Sequence, residues 1–191
     1  MKTTLFSLLY FLAVVTSSYA QEKKFSAYAI GFYNLENLFD TQHDEGKLDE
    51  DFLPNGSYKW DSIKYTNKLH NMAQALSDMA TTKLPKVGCA VIGVSEVEND
   101  HVLKDLCAQP ALAARGYRYA HIEGPDLRGI DCALLYNPAL FTIENTTLYP
   151  YVQHLKDNPN FITRGFLAVT GTLAGERMTF IVCHLPSRGN G

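Results

Sequence analysis

Three segments of this 191-residue chain end an apolar run in side chains able to hold a cation or hand over a proton. Asn34 follows residues 25–32, Glu96 follows residues 87–94, and His184 closes residues 177–184. A hard divalent ion takes oxygen ligands, commonly one or two carboxylates plus oxygens of a bound phosphate. Asn34 and Glu96 can supply such oxygens, and His184 can give a hydrogen bond or a proton to a phosphoryl oxygen. Each residue alone has a plainer reading. An Asn after a strand forms turns, a Glu there can cap the next helix, and a lone His is commonly structural. The combination points to phosphate chemistry.

Rigid elements must bring three such tips together. Residues 25–32 read as a strand, with Ala27, Ala29 and Gly31 on one parity and Tyr28, Ile30 and Phe32 on the other. Residues 40–58 are acidic and contain Pro and Gly, which predicts a loop. Asp61 is placed to cap a helix reaching about Thr81. Its stripe of Leu69, Met72, Leu76 and Met79 packs on a sheet, with Lys64 and Lys68 on the wetter side. Residues 87–94 form a near-continuous apolar run, as in a strand covered on both faces. A short helix over 101–107 follows, then strands near 117–121, 130–136, 141–149, 164–173 and 177–184. Alternation early and hairpins late suit sheets with helices packed outside them.

Composition sets outer limits. Hydrophobic residues make up 46% and charged residues 19%, which suits one folded domain and not a disordered tail. The formal net charge of −3 offers no broad basic face for gripping a long duplex. The balance leans towards a small phosphoester or a short stretch of nucleic acid. Lys2, an apolar stretch over 5–15, and the small-x-small pattern Ser18-Tyr19-Ala20 predict a signal peptide over 1–20. Cleavage near Ala20 would release residues 21–191 to the periplasm or the medium, without a stable membrane anchor. Cys89, Cys107, Cys132 and Cys183 lack zinc-site spacing and sit mostly in strand-like runs, which suits buried thiols and leaves room for one bridge.

Four ordered motifs carry a family resemblance. They are Tyr33-Asn34-Leu35-Glu36-Asn37-Leu38-Phe39-Asp40, Val91-Ile92-Gly93-Val94-Ser95-Glu96-Val97-Glu98-Asn99, Arg128-Gly129-Ile130-Asp131-Cys132-Ala133-Leu134-Leu135-Tyr136, and Val182-Cys183-His184-Leu185-Pro186-Ser187-Arg188. In this order they resemble the endonuclease/exonuclease/phosphatase family, most closely its secreted bacterial branch. The resemblance implies an α/β fold, a DNase I-like sandwich of two β-sheets flanked by helices. It implies metal ligation by Asn34 and Glu96, with Mg²⁺ or Mn²⁺ as the ion, and contact of His184 with the scissile phosphate. Arg128, Asp131 and Arg188 become candidates for binding substrate phosphate. On residue type alone, Arg128 is equally a solvated loop charge, Asp131 a structural acceptor, and Arg188 a water-facing cation.

Family members continue into an Asp-x-Asn segment and a Ser-Asp-His-like segment, and neither follows His184 here. The sandwich is therefore expected to be C-terminally incomplete, with an unpaired edge and exposed apolar surface. The expected activity is metal-dependent hydrolysis of a phosphoester, of nuclease, phosphodiesterase or phosphatase type, weak or absent in this truncated chain. Two alternatives stand beside it, a secreted binding module without catalysis and a gene fragment. DNA, RNA, lipid and small phosphoesters all remain candidate substrates.

Overall fold

The computed structural model describes residues 26–153 and 161–185. The signal-peptide expectation over 1–20, and Arg188, lie outside them. The described chain runs β1 (Ala29–Leu38), a 3-10 turn (Glu50–Phe52), α1 (Ser62–Asp78), β2 (Cys89–Val97), α2 (Asp100–Ala108), α3 (Pro110–Ala113), β3 (Arg118–His121), β4 (Asp131–Tyr136), β5 (Phe141–Gln153), β6 (Phe161–Leu173) and β7 (Glu176–Val182). The first sheet has the order β1-β2-β4-β3, and the second is the meander β5-β6-β7. Only β1 and β2 pair in parallel, with α1 in the connection between them, as a parallel crossover requires.

Alternation along β2 and β4 explains why these strands look apolar throughout. Ile92, Val94, Ala133 and Leu135 meet the helices, packing with Leu69, Ala73 and Leu76 of α1 and with Val102, Leu103 and Leu106 of α2. On the opposite face Val91, Cys132 and Leu134 meet Phe141, Leu167, Val169 and Val182 of the second sheet. The apolar run therefore has two buried faces, as its composition predicts. Asp61 accepts from the Lys64 amide at 2.9 Å, so α1 starts where the sequence indicates, and Asn99 caps α2 through the Val102 amide at 3.0 Å.

The two sheets pack face to face and helices cover the first sheet, a DNase I-like α/β sandwich. Among the described residues no helix lies on the outer face of the second sheet. Part of that outer face is polar, with Thr170 bonded to Thr179 and Glu144 held by Thr172 and Arg177. The small parity of β1 packs tightly: a Cβ on Gly31 would sit 2.6 Å from the tip of Met79. The large parity does not pack. Ile30 and Phe32 are exposed at 59% and 54%, because β7, the edge of the second sheet, stops short of covering β1. All four cysteines are free thiols, with Cys89 and Cys132 buried. No described helix is long and apolar enough to cross a membrane.

Candidate metal and phosphate site

Glu96 does not end its strand, contrary to the sequence expectation; it interrupts it. Pairing between β1 and β2 passes from Asn34–Ser95 to Leu38–Val97, and pairing between β2 and β4 passes from Ser95–Cys132 to Val97–Asp131. Glu96 is the extra residue of a bulge, and residues 35–37 form a matching irregularity opposite it. Bulges re-aim side chains. Here the backbone turns left-handed at Glu36, Asn37 and Glu96, with φ of 53°, 58° and 61°. None of the three is glycine, so each position carries strain of roughly 1 kcal/mol or more.

The distortion points Glu96 at its partners. Its Oε1 accepts from Asn34 Nδ2 at 3.0 Å, and its Oε2 accepts from the Asn37 amide at 2.8 Å. His184 Nε2 lies 3.5 Å from Glu96 Oε1, with side-chain exposures of 24% and 17% that leave the cluster open on one side. Asn34 Oδ1 accepts from the Glu36 amide at 2.7 Å, which fixes the amide plane. Lys68 Nζ donates to the carbonyls of Glu36 and Asn37, pinning the left-handed segment from below. The structure thus brings together Asn34, Glu96 and His184.

A cation is held just behind His184. Arg164, 5% exposed, donates from Nε to the His184 carbonyl at 2.8 Å, and its Nη1 lies 3.8 Å from Asp126 Oδ2. Among the described residues Arg164 Nη1 and His184 Nδ1 are buried without a hydrogen-bond partner. Burial and then the Arg164 charge hold His184 below the usual imidazole value, against the pull of Glu96. Asp126 organises the loop: it accepts from Thr163 Oγ1 at 2.7 Å and from the Arg128 amide at 3.0 Å. Burial raises the Asp126 carboxyl, but those bonds and the Arg128 and Arg164 charges outweigh it and leave it below its ordinary value. Sequence reading missed Arg164 and Asp126. The available signal was a lone Arg in an otherwise apolar strand, since a buried cation demands partners.

Arg128 sits on the surface of the same loop, its Nε 3.7 Å from Asp126 and its side chain 56% exposed. Asp131 is buried, and its Oδ2 accepts from the Gly124 amide at 3.0 Å and meets His121 Nε2 at 3.2 Å. It makes no hydrogen bond to Asn34, Glu96 or His184 among the described residues. Ligand atoms of His121, Glu123 and Asp131 lie within 4.8 Å of one another. Glu123, however, pairs with Lys47 Nζ at 2.9 Å. Lys47 also donates to the carbonyls of Gly124 and Asp126, so this group clasps two loops together.

A second acidic group lies behind the bulge. Glu98 is buried and accepts from the Asp40 amide at 2.6 Å, while Asp40, Asp44 and Asp49 surround it. Burial pushes its carboxyl up to about 8, and the neighbouring carboxylates add to that against the Asp40 amide. The folded state therefore keeps a proton that the unfolded chain releases near 4.5. This contribution is fully present below pH 4.5 and is lost as pH rises towards 8, at up to about 1.4 kcal/mol per pH unit. Glu98→Gln is expected to raise the melting temperature by several degrees at pH 8 and by little at pH 4.5, measured in EDTA. An equal gain at both pH values would refute a protonated Glu98.

The donor set fits a hard cation. Carboxylate and amide oxygens are the donor types such an ion takes; here Asn34 turns Nδ2 to Glu96 and Oδ1 to the Glu36 amide, so ligation through Oδ1 requires the Asn34 side chain to rotate. A fold with these strand tips, and motifs in this order, defines a phosphoesterase-type scaffold. The chain matches the endonuclease/exonuclease/phosphatase family over residues 29–191 and belongs to it.

Solved structures similar to the chain include TDP2 from D. rerio, humanized by 14 mutations, at 15% identity and a TM-score of 0.48, covering 84% of this chain and 48% of that one. Another is the mannosyl-6-phosphatase of Bacteroides thetaiotaomicron, at 16% identity and a TM-score of 0.47, covering 81% and 50%. A third is an endonuclease/exonuclease/phosphatase family protein from the same organism, at 17% identity and a TM-score of 0.46, covering 80% and 48%. The chain spans about half the length of these structures. No curated protein matches it significantly in sequence.

Proposed function

We propose that this chain carries the metal-binding and phosphate-binding half of a Mg²⁺- or Mn²⁺-dependent phosphoester hydrolase that acts outside the cytoplasm. The observation that carries the reading is the meeting of Asn34 on β1, Glu96 on β2 and His184 just past the end of β7, with Glu96 Oε1 reached by both partners within 3.5 Å. Asn34 and Glu96 would hold the ion. When bound, it would neutralise charge on the phosphoryl and leaving oxygens.

The chain's own residues do the rest. His184 Nδ1 is buried and unpartnered, so the imidazole proton belongs on Nε2, facing Glu96 and the open side. From there Nε2–H donates to a phosphoryl oxygen as charge builds on it. Arg164 fixes the His184 backbone, and Arg128 supplies an exposed cation on the neighbouring loop. The Asp-x-Asn and Ser-Asp-His segments of the family do not occur after His184 in these residues. We assign the group that orients the attacking water to such segments. Export follows from the signal sequence read at residues 1–20.

The test has two readouts. Mn²⁺ titration followed by electron paramagnetic resonance should show one site in the 191-residue chain, lost in Glu96→Ala. Hydrolysis of bis(p-nitrophenyl) phosphate with Mg²⁺ should be stopped by EDTA, and should rise steeply when the chain is lengthened through its downstream reading frame. A chain that takes up no ion, long or short, would be a binding module and not a hydrolase.

A further inference from the structure

The loop over 40–60 is more than a connection. Buried Phe39 stacks on Phe52, with ring centroids 4.1 Å apart and planes 7° apart. Phe52 in turn meets Tyr58 at 4.9 Å and the edge of Trp60 at 6.3 Å. Trp60 Nε1 donates to the Phe39 carbonyl at 2.9 Å, which locks the indole in place. The result is a groove of about 430 Å³ lined by Phe52, Tyr58, Trp60, Lys64 and Lys68, with Glu36 and Asn37 at its inner end. That volume lies within the roughly 300–1,000 Å³ of small-molecule sites.

Two features tie the groove to the phosphate site. Asn37 lines it while its amide donates to Glu96 Oε2 at 2.8 Å, so one lining residue is bonded directly to the Glu96 carboxylate. Lys68 Nζ lies 5.5 Å from the Trp60 ring centroid, and Lys64 projects from one helical turn earlier. Lys64 Nζ spends one hydrogen bond on the Tyr58 carbonyl, and Lys68 spends two on Glu36 and Asn37. Each ammonium carries three donors, so both keep at least one for a ligand. The exposed Glu36 carboxylate opposes one of the two cations, leaving the groove positive on balance.

We propose that this groove binds a nucleobase of single-stranded nucleic acid, with the adjoining phosphate lying at the Asn34–Glu96–His184 site. The inference rests on the phosphoester reading and names its substrate class. Rigid aromatic faces beside lysines match a planar base joined to an anionic backbone, and such stacking tolerates any base. An acyl chain would use the rings but not the cations. A sugar phosphate also packs on aromatic faces, and the mannose 6-phosphate arm of the test separates it from a base. A narrow stacking groove also suits a chain with net charge −3, which has no broad face for duplex.

Trp60 is the single tryptophan, so its fluorescence reports this groove alone. The 191-residue chain, kept in EDTA to prevent cleavage, would be titrated with an eight-residue oligothymidylate and with an abasic strand of equal length. Mannose 6-phosphate provides a third arm. Quenching by the oligothymidylate is expected, and the abasic strand should bind about tenfold or more weakly. Tyr58→Ala and Lys64→Ala, both at exposed side chains, should each weaken oligothymidylate about tenfold, and Arg177→Ala, an exposed cation on the second sheet, should not. Equal quenching by the abasic strand or by mannose 6-phosphate, or none by any probe, would overturn the assignment. Ion-dependent hydrolysis, assayed separately on the chain lengthened through its downstream reading frame, distinguishes the two failures. Hydrolysis without quenching sinks the groove alone, and quenching without hydrolysis sinks the hydrolase reading alone.

Discussion

Glu96→Gln is expected to lower kcat/KM for a phosphodiester by about a thousandfold at saturating Mg²⁺, with Mn²⁺ affinity falling in parallel. The side chain keeps its length and can still accept from the Asn37 amide, but it loses the charge that attracts an ion. It also turns one acceptor into a donor, which faces the Asn34 Nδ2 donor and breaks that contact. The left-handed backbone at position 96 remains, so the melting temperature should move by only a degree or two. Activity, ion uptake and unfolding measured on one preparation separate these effects. Undiminished turnover would remove Glu96 from the chemistry, while a collapse in stability would make its role architectural.

Arg164→Met should act on stability and activity together. The guanidinium is 5% exposed and ties the His184 carbonyl to the Asp126 carboxylate. Its loss leaves both without their cation in the interior, a cost of about 3 kcal/mol by urea unfolding. Asp126 keeps Thr163 and the Arg128 amide, so the loop is expected to loosen and not to unravel. Catalysis should fall about a hundredfold, because the backbone that carries the imidazole is no longer fixed. Arg164→Lys separates the parts: it returns a charge near Asp126 but cannot reproduce the planar Nε donor. It should recover most of the stability and little of the rate. Full recovery of both would reduce Arg164 to a buried counter-ion.

How much of this was legible in the sequence differs by level. The α1 stripe of Leu69, Leu76 and their neighbours, its Asp61 cap and the two-faced strand β2 follow from local periodicity, and they stand where the sequence puts them. The three residues whose side chains meet, Asn34, Glu96 and His184, could be picked from strand-adjacent polar groups and motif order. The bulge that aims Glu96 could not, because it is a property of pairing among β1, β2 and β4, which lie far apart in the chain. Arg164 was hidden for the same reason: its partners Asp126 and His184 come from a different loop and strand. The loop over 40–60 read as acidic and irregular, yet it packs through Phe52 and Trp60 on Phe39. Lys68, read as solvent-facing, lies half-buried over Trp60.

The φ values at Glu36, Asn37 and Glu96 bear on how such a protein would evolve in the laboratory. Glycine relaxes each of these positions, so a library screened for heat resistance alone would gather glycines there and discard the Glu96 carboxylate proposed to hold the ion. Variants enriched for ion uptake would keep the Glu96 side chain and tolerate a lower melting point. Running the two screens side by side would turn a local kink of the chain into a measurable trade between durability and chemistry.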